Sequence, residues 1–211
     1  EGKTIVFCNH REVVERLVIQ LDELGLHAIG FHGAMEQDER NRAIIQFRNG
    51  SYCILVSTDL AARGLDIPAV ETVIHYQIPD KEDQFIHRNG RTGRMDASGR
   101  VAILTSVHGH SFDFLPSNTE KFQVPTDLRL PPPPKYKTLY MSGGKKDKIN
   151  KIDIVGFLAK KGGLQGKEIG LIIVLDRMSY VAIPANKVHE VLSKIRREKI
   201  KGKRLKIELS R

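Results

Sequence analysis

The segment HRNGRTGR, residues 87–94, contains the residue types that most clearly indicate chemistry. It places His87 and three arginines, Arg88, Arg91 and Arg94, within eight residues. An arginine guanidinium stays charged and presents paired N–H donors that match phosphate oxygens, so we expect this segment to bind a polyanion. Arg91 and Arg94, three residues apart on one helical face, are the candidates for stabilising a transferred γ-phosphoryl group. Arg88 points in another direction and is interpreted as structural. The alternative for the whole segment is an exposed basic helix end.

A second segment, STDLAARGLDIP at residues 57–68, directly follows an apolar run. Thr58 can meet a phosphate, Gly64 lets the backbone approach a ligand closely, and Asp66 can accept a hydrogen bond from a sugar hydroxyl. The alternative for Thr58 or Asp59 is a role as a helix cap, which can hold at the same time. Together the two segments indicate one side of a nucleoside triphosphatase site.

The elements around these segments alternate between strands and helices, which predicts a parallel sheet with helices on both faces. The predicted strands are 4–8, 27–31, 52–57, 70–76 and 100–105. The first predicted helix lies between Asn9, its cap, and Gly25, and directs Val13, Leu17, Leu21 and Leu24 inward. The other predicted helices are 32–50, 58–62 and 81–89. Because the carboxyl ends of parallel strands share one edge of the sheet, the two segments are expected to lie close together there.

Two parts of an ATP site have no counterpart in the sequence. No GxxxxGK[ST] phosphate loop is present, since GGLQGKE at 162–168 has different glycine spacing and a glutamate where the hydroxyl residue should be. No acidic metal-binding box follows a strand. The chain alone is therefore expected not to hydrolyse ATP. We expect the other half of the site in a preceding domain, because Glu1 and Gly2 open abruptly against the first strand.

Four segments resemble, in order and spacing, the motifs of the second RecA-like domain of DEAD-box RNA helicases. They are IVFCN (5–9), QFRNG (46–50), STDLAARGLDIP and HRNGRTGR. The resemblance covers residues 1–115 and implies a RecA-like fold for them. Asn89 departs from it, because the family usually has isoleucine there, and an inward-facing asparagine is expected to loosen the local packing.

The resemblance also implies roles for individual residues. Asp66 would contact the ribose, Arg91 and Arg94 the γ-phosphate, and His87 would link the ATP and RNA sites. ATP with Mg²⁺ would be held mainly by an N-terminal RecA-like domain of the same protein. RNA contacts are implied for Gly33, Gln37, Arg40 and Thr58.

The charge is distributed unevenly along the chain. Residues 1–130 hold 14 Lys/Arg and 18 Asp/Glu, a balance of −4, whereas residues 131–211 hold 20 and 7, a balance of +13. This asymmetry indicates two domains, the second facing nucleic acid or another polyanion; the alternative is a solvated lysine-rich surface. Residues 116–135 lack periodicity, contain four consecutive prolines and are interpreted as a linker.

After the linker, the order βαββαβ in residues 136–211 predicts a smaller α+β, ferredoxin-like domain. The predicted elements are strand 136–141, helix 149–161, strands 168–175 and 178–183, helix 185–197 and strand 204–209. This order resembles an RNA-recognition motif. GGKKDKI and FLAKKGGL resemble segments of the C-terminal RNA-binding domain of DbpA-type DEAD-box proteins. That resemblance implies tethering to a hairpin of large-subunit ribosomal RNA during ribosome assembly.

RNA binding by this second domain is expected to use base stacking and phosphate contacts. RNA-recognition motifs stack bases on aromatic residues of their sheet, a role for Tyr180 that Tyr140 can supplement. Both tyrosines could equally be ordinary sheet residues. Phosphate contacts are expected from Lys145, Lys146, Lys148, Lys151, Arg177, Lys201 and Lys203.

We therefore expect the C-terminal part of an ATP-dependent bacterial RNA helicase that acts on structured RNA in the cytoplasm. Cys8 and Cys53 lie in apolar runs, which favours reduced thiols, and no run approaches the roughly eighteen apolar residues of a membrane span. One alternative is a non-enzymatic RNA-binding or annealing protein built on a helicase half, which the retained arginines argue against. The other is a DNA translocase of the same superfamily, which the basic second domain argues against.

Overall fold

The computed structural model describes residues 2–59, 70–93, 99–105, 112–117 and 119–210. The chain divides into two compact units, each of which is described by itself. The first comprises Glu1–Met35 and Ile54–Pro133, and the second comprises Glu36–Cys53 and Pro134–Arg211. Within the described ranges, no helix is both long and apolar enough to cross a membrane.

Apart from a short hairpin at 199–204, the helices and strands of the described residues follow the predicted order. The predicted helix 58–62 lies largely outside the described residues. The helices are α1 (Arg11–Glu23), α2 (Gln37–Arg48), α3 (Glu82–Asn89), α4 (Lys151–Lys160) and α5 (Val188–Ile195). The strands are β1 (Thr4–Cys8), β2 (Ala28–Phe31), β3 (Ile54–Thr58), β4 (Thr72–His75), β5 (Arg100–Ile103), β6 (Tyr136–Met141), β7 (Ile172–Val174), β8 (Ser179–Pro184), β9 (Lys199–Ile200), β10 (Lys203–Arg204) and β11 (Ile207–Leu209).

The first unit contains a parallel sheet with the order β2-β3-β1-β4-β5 among its described strands. On one face, Val6 and Cys8 form an apolar cluster with Val14 of α1. On the other, the His75 ring stacks on Phe85 of α3 with ring centroids 4.6 Å apart. The predicted parallel sheet with helices on both faces is therefore confirmed, and the RecA-like interpretation of this unit with it.

The start and end of α1 differ from the sequence prediction. His10, not Asn9, occupies the position before the first helical residue, because the Asn9 amide donates from Nδ2 to the Ile78 carbonyl at 2.9 Å. Leu24 is exposed rather than inward, and Val14 is the fully buried residue of the helix. Gly25 ends the helix with φ +78°, a conformation that glycine adopts without a Cβ clash.

The second predicted helix, 32–50, is shorter in the structure and begins at Gln37. The Glu39 carboxylate accepts a hydrogen bond from the Glu36 backbone N–H at 3.0 Å, which fixes the start of α2. Gly50 follows its last turn with φ +75°. By its contacts, α2 belongs to the second compact unit.

The second unit contains an antiparallel sheet with the order β11-β6-β8-β7. With α4 and α5 as crossovers this is the predicted βαββαβ ferredoxin-like topology. The core lies between the helices and one sheet face, and its most buried members are Leu139, Met141, Ile154, Leu158, Val181, Ile183, Val191 and Ile195. The β9–β10 hairpin was not predicted, because its residues are almost all polar and show no alternation.

Short 3₁₀ turns and an irregular segment complete the described chain. The turns are Lys145–Asp147, Gly166–Glu168 and Ala185–Lys187. The turn at Gly166–Glu168 replaces the beginning of the strand predicted at 168–175, so that β7 has three residues. Residues 119–135 contain neither helix nor strand.

Candidate functional site

The Arg88 guanidinium is the centre of the polar network at the carboxyl ends of the first unit's strands. Its side chain is 1% exposed. Nε and Nη2 donate to the two Asp59 carboxylate oxygens at 2.7 and 2.6 Å. Nη1 donates to the Gln77 carbonyl at 2.7 Å, and Nη2 also donates to Asn9 Oδ1 at 2.8 Å. The paired contact with Asp59 is the bidentate geometry in which arginine binds a carboxylate most strongly.

This network joins three neighbouring strands. Asn9 follows β1 directly, Asp59 follows β3 directly, and Gln77 lies two residues after β4. Asn9 adds a second connection, because its backbone N–H donates to Gln77 Oε1 at 2.9 Å. The interpretation of Arg88 as structural is confirmed. It fixes the edge of the sheet at which ligands of parallel α/β folds bind.

Asn89 is held by a hydrogen bond rather than left loose. Its Oδ1 lies 2.8 Å from Nε2 of His75. Burial lowers the pKa of His75 to about 4, so that the imidazole is neutral at pH 7 and Nε2 carries the proton that Asn89 accepts. The expectation that Asn89 loosens the packing is therefore wrong, because the unusual asparagine pairs with a buried histidine.

Asn89→Ile is expected to lower the free energy of unfolding by about 1–3 kcal/mol, because the buried His75 N–H loses its acceptor. The double variant His75→Phe/Asn89→Ile removes both polar partners and is expected to recover most of that loss. Urea unfolding of wild type and both variants at pH 7 measures the effect. A single variant as stable as wild type would show that the pair does not stabilise the fold.

The loop after α3 is hydrogen-bonded to Val70, which lies two residues before β4. The Arg91 carbonyl accepts a hydrogen bond from the Val70 N–H at 3.0 Å, and the Thr92 hydroxyl donates to the Val70 carbonyl at 2.6 Å. Arg91 is half-buried, and His87, in the last turn of α3, is exposed. The backbone that carries Arg91 is thus positioned by main-chain contacts that do not depend on its side chain. Arg94, Gly64 and Asp66 lie outside the described residues.

The remaining predicted residues of the helicase-like region are distributed over both units. In the first, Thr58 ends β3 immediately before Asp59, and Gly33 faces open space, with nothing within 4 Å of a Cβ built on it. In the second, Gln37 lies exposed on α2 and donates to Asn41 Oδ1 at 3.0 Å, while Arg40 is half-buried. Gly33, Gln37 and Arg40 each retain exposed surface, whereas Thr58 is 8% exposed.

The structure brings the predicted basic residues of the second unit together. The Lys145 and Lys146 N–H groups donate to the Leu175 and Asp176 carbonyls at 2.9 and 2.8 Å. Lys201 Nζ donates to the Lys148 carbonyl at 2.9 Å, which joins the β9–β10 hairpin to the same loop. We call this surface the basic patch; its members are Lys145, Lys146, Lys148, Lys151, Arg177, Lys201 and Lys203.

Two features of the basic patch set its shape and charge. A Cβ on Gly144 would lie 2.1 Å from the Leu175 carbonyl oxygen, so only glycine allows the two loops to approach this closely. Lys203 pairs with Asp147 at 3.0 Å and Lys201 with Asp153 at 3.2 Å. Because these carboxylates offset part of the charge, Lys145, Lys146 and Lys148 are the stronger candidates for phosphate contacts.

Tyr140 and Tyr180 are direct cross-strand neighbours on the sheet of the second unit. Their ring centroids lie 5.7 Å apart in an edge-on arrangement. Tyr180 is only 3% exposed, and burial raises the pKa of its phenol. The Tyr180 ring is therefore buried in this arrangement, and stacking of a base on it stays a prediction.

Two protein-family models match the chain. Residues 1–96 match the helicase conserved C-terminal domain, and residues 138–209 match the DbpA RNA binding domain. The chain is 33% identical to the ATP-dependent RNA helicase DbpA of Bacillus subtilis over 96% of its own length and 48% of that protein. The chain belongs to the DbpA-type DEAD-box family.

Other DEAD-box proteins are similar over all or part of the chain. DbpA of Escherichia coli is 32% identical over 97% of this chain and 46% of that protein, so the chain spans about half the length of these curated relatives. The crystal structure of the yeast DEAD-box splicing factor Prp28 superposes on 52% of this chain and 24% of its own with a TM-score of 0.50 at 32% identity.

Within this DEAD-box arrangement, sequence reasoning missed Asn9 and Asp59 as partners of Arg88. Both were considered only as helix caps. Their positions could have identified them as partners. Each is a short polar residue directly after one of two neighbouring parallel strands, and such residues must lie at the same edge of the sheet. In the ranges that the structure describes, no group of three or more His, Cys, Asp or Glu side chains is placed to hold a metal ion.

Proposed function

We propose that this chain forms the half of an ATP-dependent RNA helicase that closes on ATP held by another RecA-like domain. The observation that supports this most is the Arg88 network. It connects α3, which precedes Arg91, to the residues that follow β1, β3 and β4. An ordinary basic helix end would not require such a buried support. The proposed boundaries are 1–115 for the RecA-like domain, 116–135 for the linker and 136–211 for the RNA-binding domain.

On the ATP side, the proposed ligand of Arg91 and Arg94 is the γ-phosphate. Gly64 and Asp66 would meet the nucleotide at the ribose, and His87 would connect the nucleotide to the RNA. The phosphate cradle and the Mg²⁺ ligands would come from the N-terminal RecA-like domain, because the sequence contains neither. The chain alone is proposed to be inactive as an ATPase.

On the RNA side, Gly33, Gln37, Arg40 and Thr58 are proposed to contact the strand that is being remodelled. The basic patch would hold a second, structured part of the same RNA, and the proposed target is large-subunit ribosomal RNA during ribosome assembly. Tethering of this kind raises the local concentration of the substrate at the helicase site without any change in that site. The proposed compartment is the cytoplasm.

The double variant Lys145→Ala/Lys146→Ala is expected to weaken binding of hairpin RNA and to make it less dependent on salt. Removing one lysine that binds a phosphate should reduce the slope of log affinity against log salt by roughly 1, because fewer counterions are released. Fluorescence anisotropy between about 50 and 200 mM KCl measures the slope.

The matched control is Lys160→Ala/Lys161→Ala, which removes two exposed lysines at the other end of α4. This variant has the same net charge as the test variant and is expected to bind RNA with the wild-type slope. Equal slopes for the two double variants would mean that overall charge, and not the basic patch, attracts the RNA.

A further inference from the structure

Two lysines of the basic patch have a backbone conformation that favours glycine. The angle φ is +59° at Lys148 and +51° at Lys201. Elsewhere in the ranges that the structure describes, every residue with a positive φ is a glycine. A side chain in this conformation brings its Cβ close to the following carbonyl oxygen, so each lysine costs stability that a glycine would not. Strain of this kind is typically kept where the side chain has a function.

The contacts of Lys201 explain why a lysine occupies its position. Lys201 and Gly202, with φ +78°, form the two-residue turn between β9 and β10. A turn with positive φ at both residues favours asparagine, aspartate or glycine in the first place. The Lys201 ammonium instead reaches the loop after β6, where Nζ donates to the Lys148 carbonyl at 2.9 Å and to the Asp153 carboxylate at 3.2 Å. The charge of Lys201 is therefore already used within the protein.

The backbone of Lys148 is held from three sides. Its N–H donates to the Lys145 carbonyl at 2.9 Å, and the next residue, Ile149, donates its N–H to the Gly144 carbonyl at 3.1 Å. The Ile149 side chain is only 2% exposed and belongs to the core. The third contact is the one from Lys201 to the Lys148 carbonyl. Contacts on all sides of a residue can maintain a conformation that the residue alone would avoid.

The Lys148 ammonium, in contrast to its backbone, is available to an external anion. The residue is exposed. Lys201 and Lys203 pair with carboxylates, whereas Lys148 has no such partner among the described residues. An ammonium of this kind binds an RNA phosphate as a point charge. Because the backbone that carries it is already fixed, less conformational freedom is lost on binding.

We propose that Lys148 binds an RNA phosphate and that Lys201 acts through Lys148, by holding its carbonyl, rather than by contacting the RNA. Lys201 is then a positioning residue. This inference deepens the proposed RNA binding of the basic patch and rests on it. It requires that loss of Lys201 weakens RNA binding only while Lys148 is present.

A double-mutant cycle on the full chain tests the division of roles, with hairpin RNA and fluorescence anisotropy at several KCl concentrations. Lys148→Met is expected to weaken binding severalfold and to lower the slope of log affinity against log salt by roughly 1. Lys201→Asn, chosen because asparagine suits the turn, is expected to weaken binding about threefold in wild type and less than about 1.5-fold in the Lys148→Met background.

The control Lys160→Met removes one exposed lysine at the other end of α4 and is expected to bind with the wild-type affinity and slope. Losses that multiply in the double variant would show that Lys201 is itself a phosphate ligand. A wild-type affinity of Lys201→Asn would remove its positioning role. A wild-type slope of Lys148→Met would remove the phosphate from Lys148.

Two measurements without RNA complete the test. Hydrogen exchange of the Ile149 amide is expected to be severalfold faster in Lys201→Asn, because the loop has lost one of its contacts. Lys148→Gly is expected to unfold at the wild-type urea concentration or above it, since glycine relieves the strained φ. A less stable Lys148→Gly chain would mean that the lysine is kept for folding. Unchanged exchange at Ile149 would overturn the positioning alone, whereas a wild-type chain that binds no hairpin RNA would refute the proposed function.

Discussion

Arg91→Ala is expected to reduce RNA-stimulated ATP turnover by a factor of about 10³ or more, the effect of losing an arginine that stabilises charge on the transferred phosphoryl group. The measurement needs a protein in which the N-terminal RecA-like domain of a DbpA-type relative precedes residue 1. The Arg91 backbone is held through Val70 and Thr92, so truncation of the side chain leaves the loop in place. Arg94→Ala is expected to act in the same direction.

The control for this prediction is Arg129→Ala, whose side chain is 88% exposed in the linker. It removes the same charge and is expected to leave turnover at saturating ATP and RNA unchanged. RNA affinity of the Arg91→Ala chain is also expected to stay at the wild-type value, because phosphate contacts are assigned to the basic patch. If turnover were equally high in Arg91→Ala and wild type, the assignment of Arg91 to the γ-phosphate would be wrong.

The second large effect is on stability. Arg88→Ala is expected to lower the free energy of unfolding by about 3–5 kcal/mol, because it leaves the Asp59 carboxylate without its charged partner in a site from which water is largely excluded. It also removes the donors for Asn9 and the Gln77 carbonyl. Chemical unfolding measured on the whole chain, with hydrogen exchange of β1, β3 and β4 as a local probe, separates this unit from the other.

A double-mutant cycle distinguishes this network from a general loss of charge. Asp59→Asn and Arg88→Ala are expected to be strongly non-additive, since each removes the same interaction. The control Arg11→Ala breaks the contact with Glu12 on the exposed surface of α1 and is expected to have no measurable effect. An Arg88→Ala chain as stable as Arg11→Ala would contradict the account of the network.

The sheet of the first unit could be predicted because its signal is local. β1 and β3 are short apolar runs, as strands covered on both faces must be, and their helices show the matching periodicity. The position of the two polar segments at one edge of the sheet could also be predicted, because all strands of a parallel sheet end at the same edge. Ends of elements were less accurate, since the start of α2 depends on how Glu36 and Glu39 pair rather than on an apolar pattern.

The contacts that complete the site could not be predicted in the same way. Arg88 meets Asp59 and Asn9 across 29 and 79 residues of sequence, and His75 meets Asn89 only because α3 lies across β4. Tyr180 hydrogen-bonds with Arg42 of α2, which precedes it by more than a hundred residues. Such contacts follow from packing between segments that are distant in sequence, and residue types alone do not predict them.

The central claim is tested most directly by fusing the N-terminal RecA-like domain of a DbpA-type relative to residue 1 of this chain and measuring RNA-stimulated ATP hydrolysis. We call this fusion the joined protein. We predict that the chain alone hydrolyses no ATP above background and that the joined protein hydrolyses it at a rate which rises strongly with structured RNA. A joined protein that binds both ATP and RNA, yet shows no RNA-stimulated turnover, would contradict the claim that this chain forms the second half of an ATP site. The chain would then act as a non-enzymatic RNA-binding protein built on a helicase half.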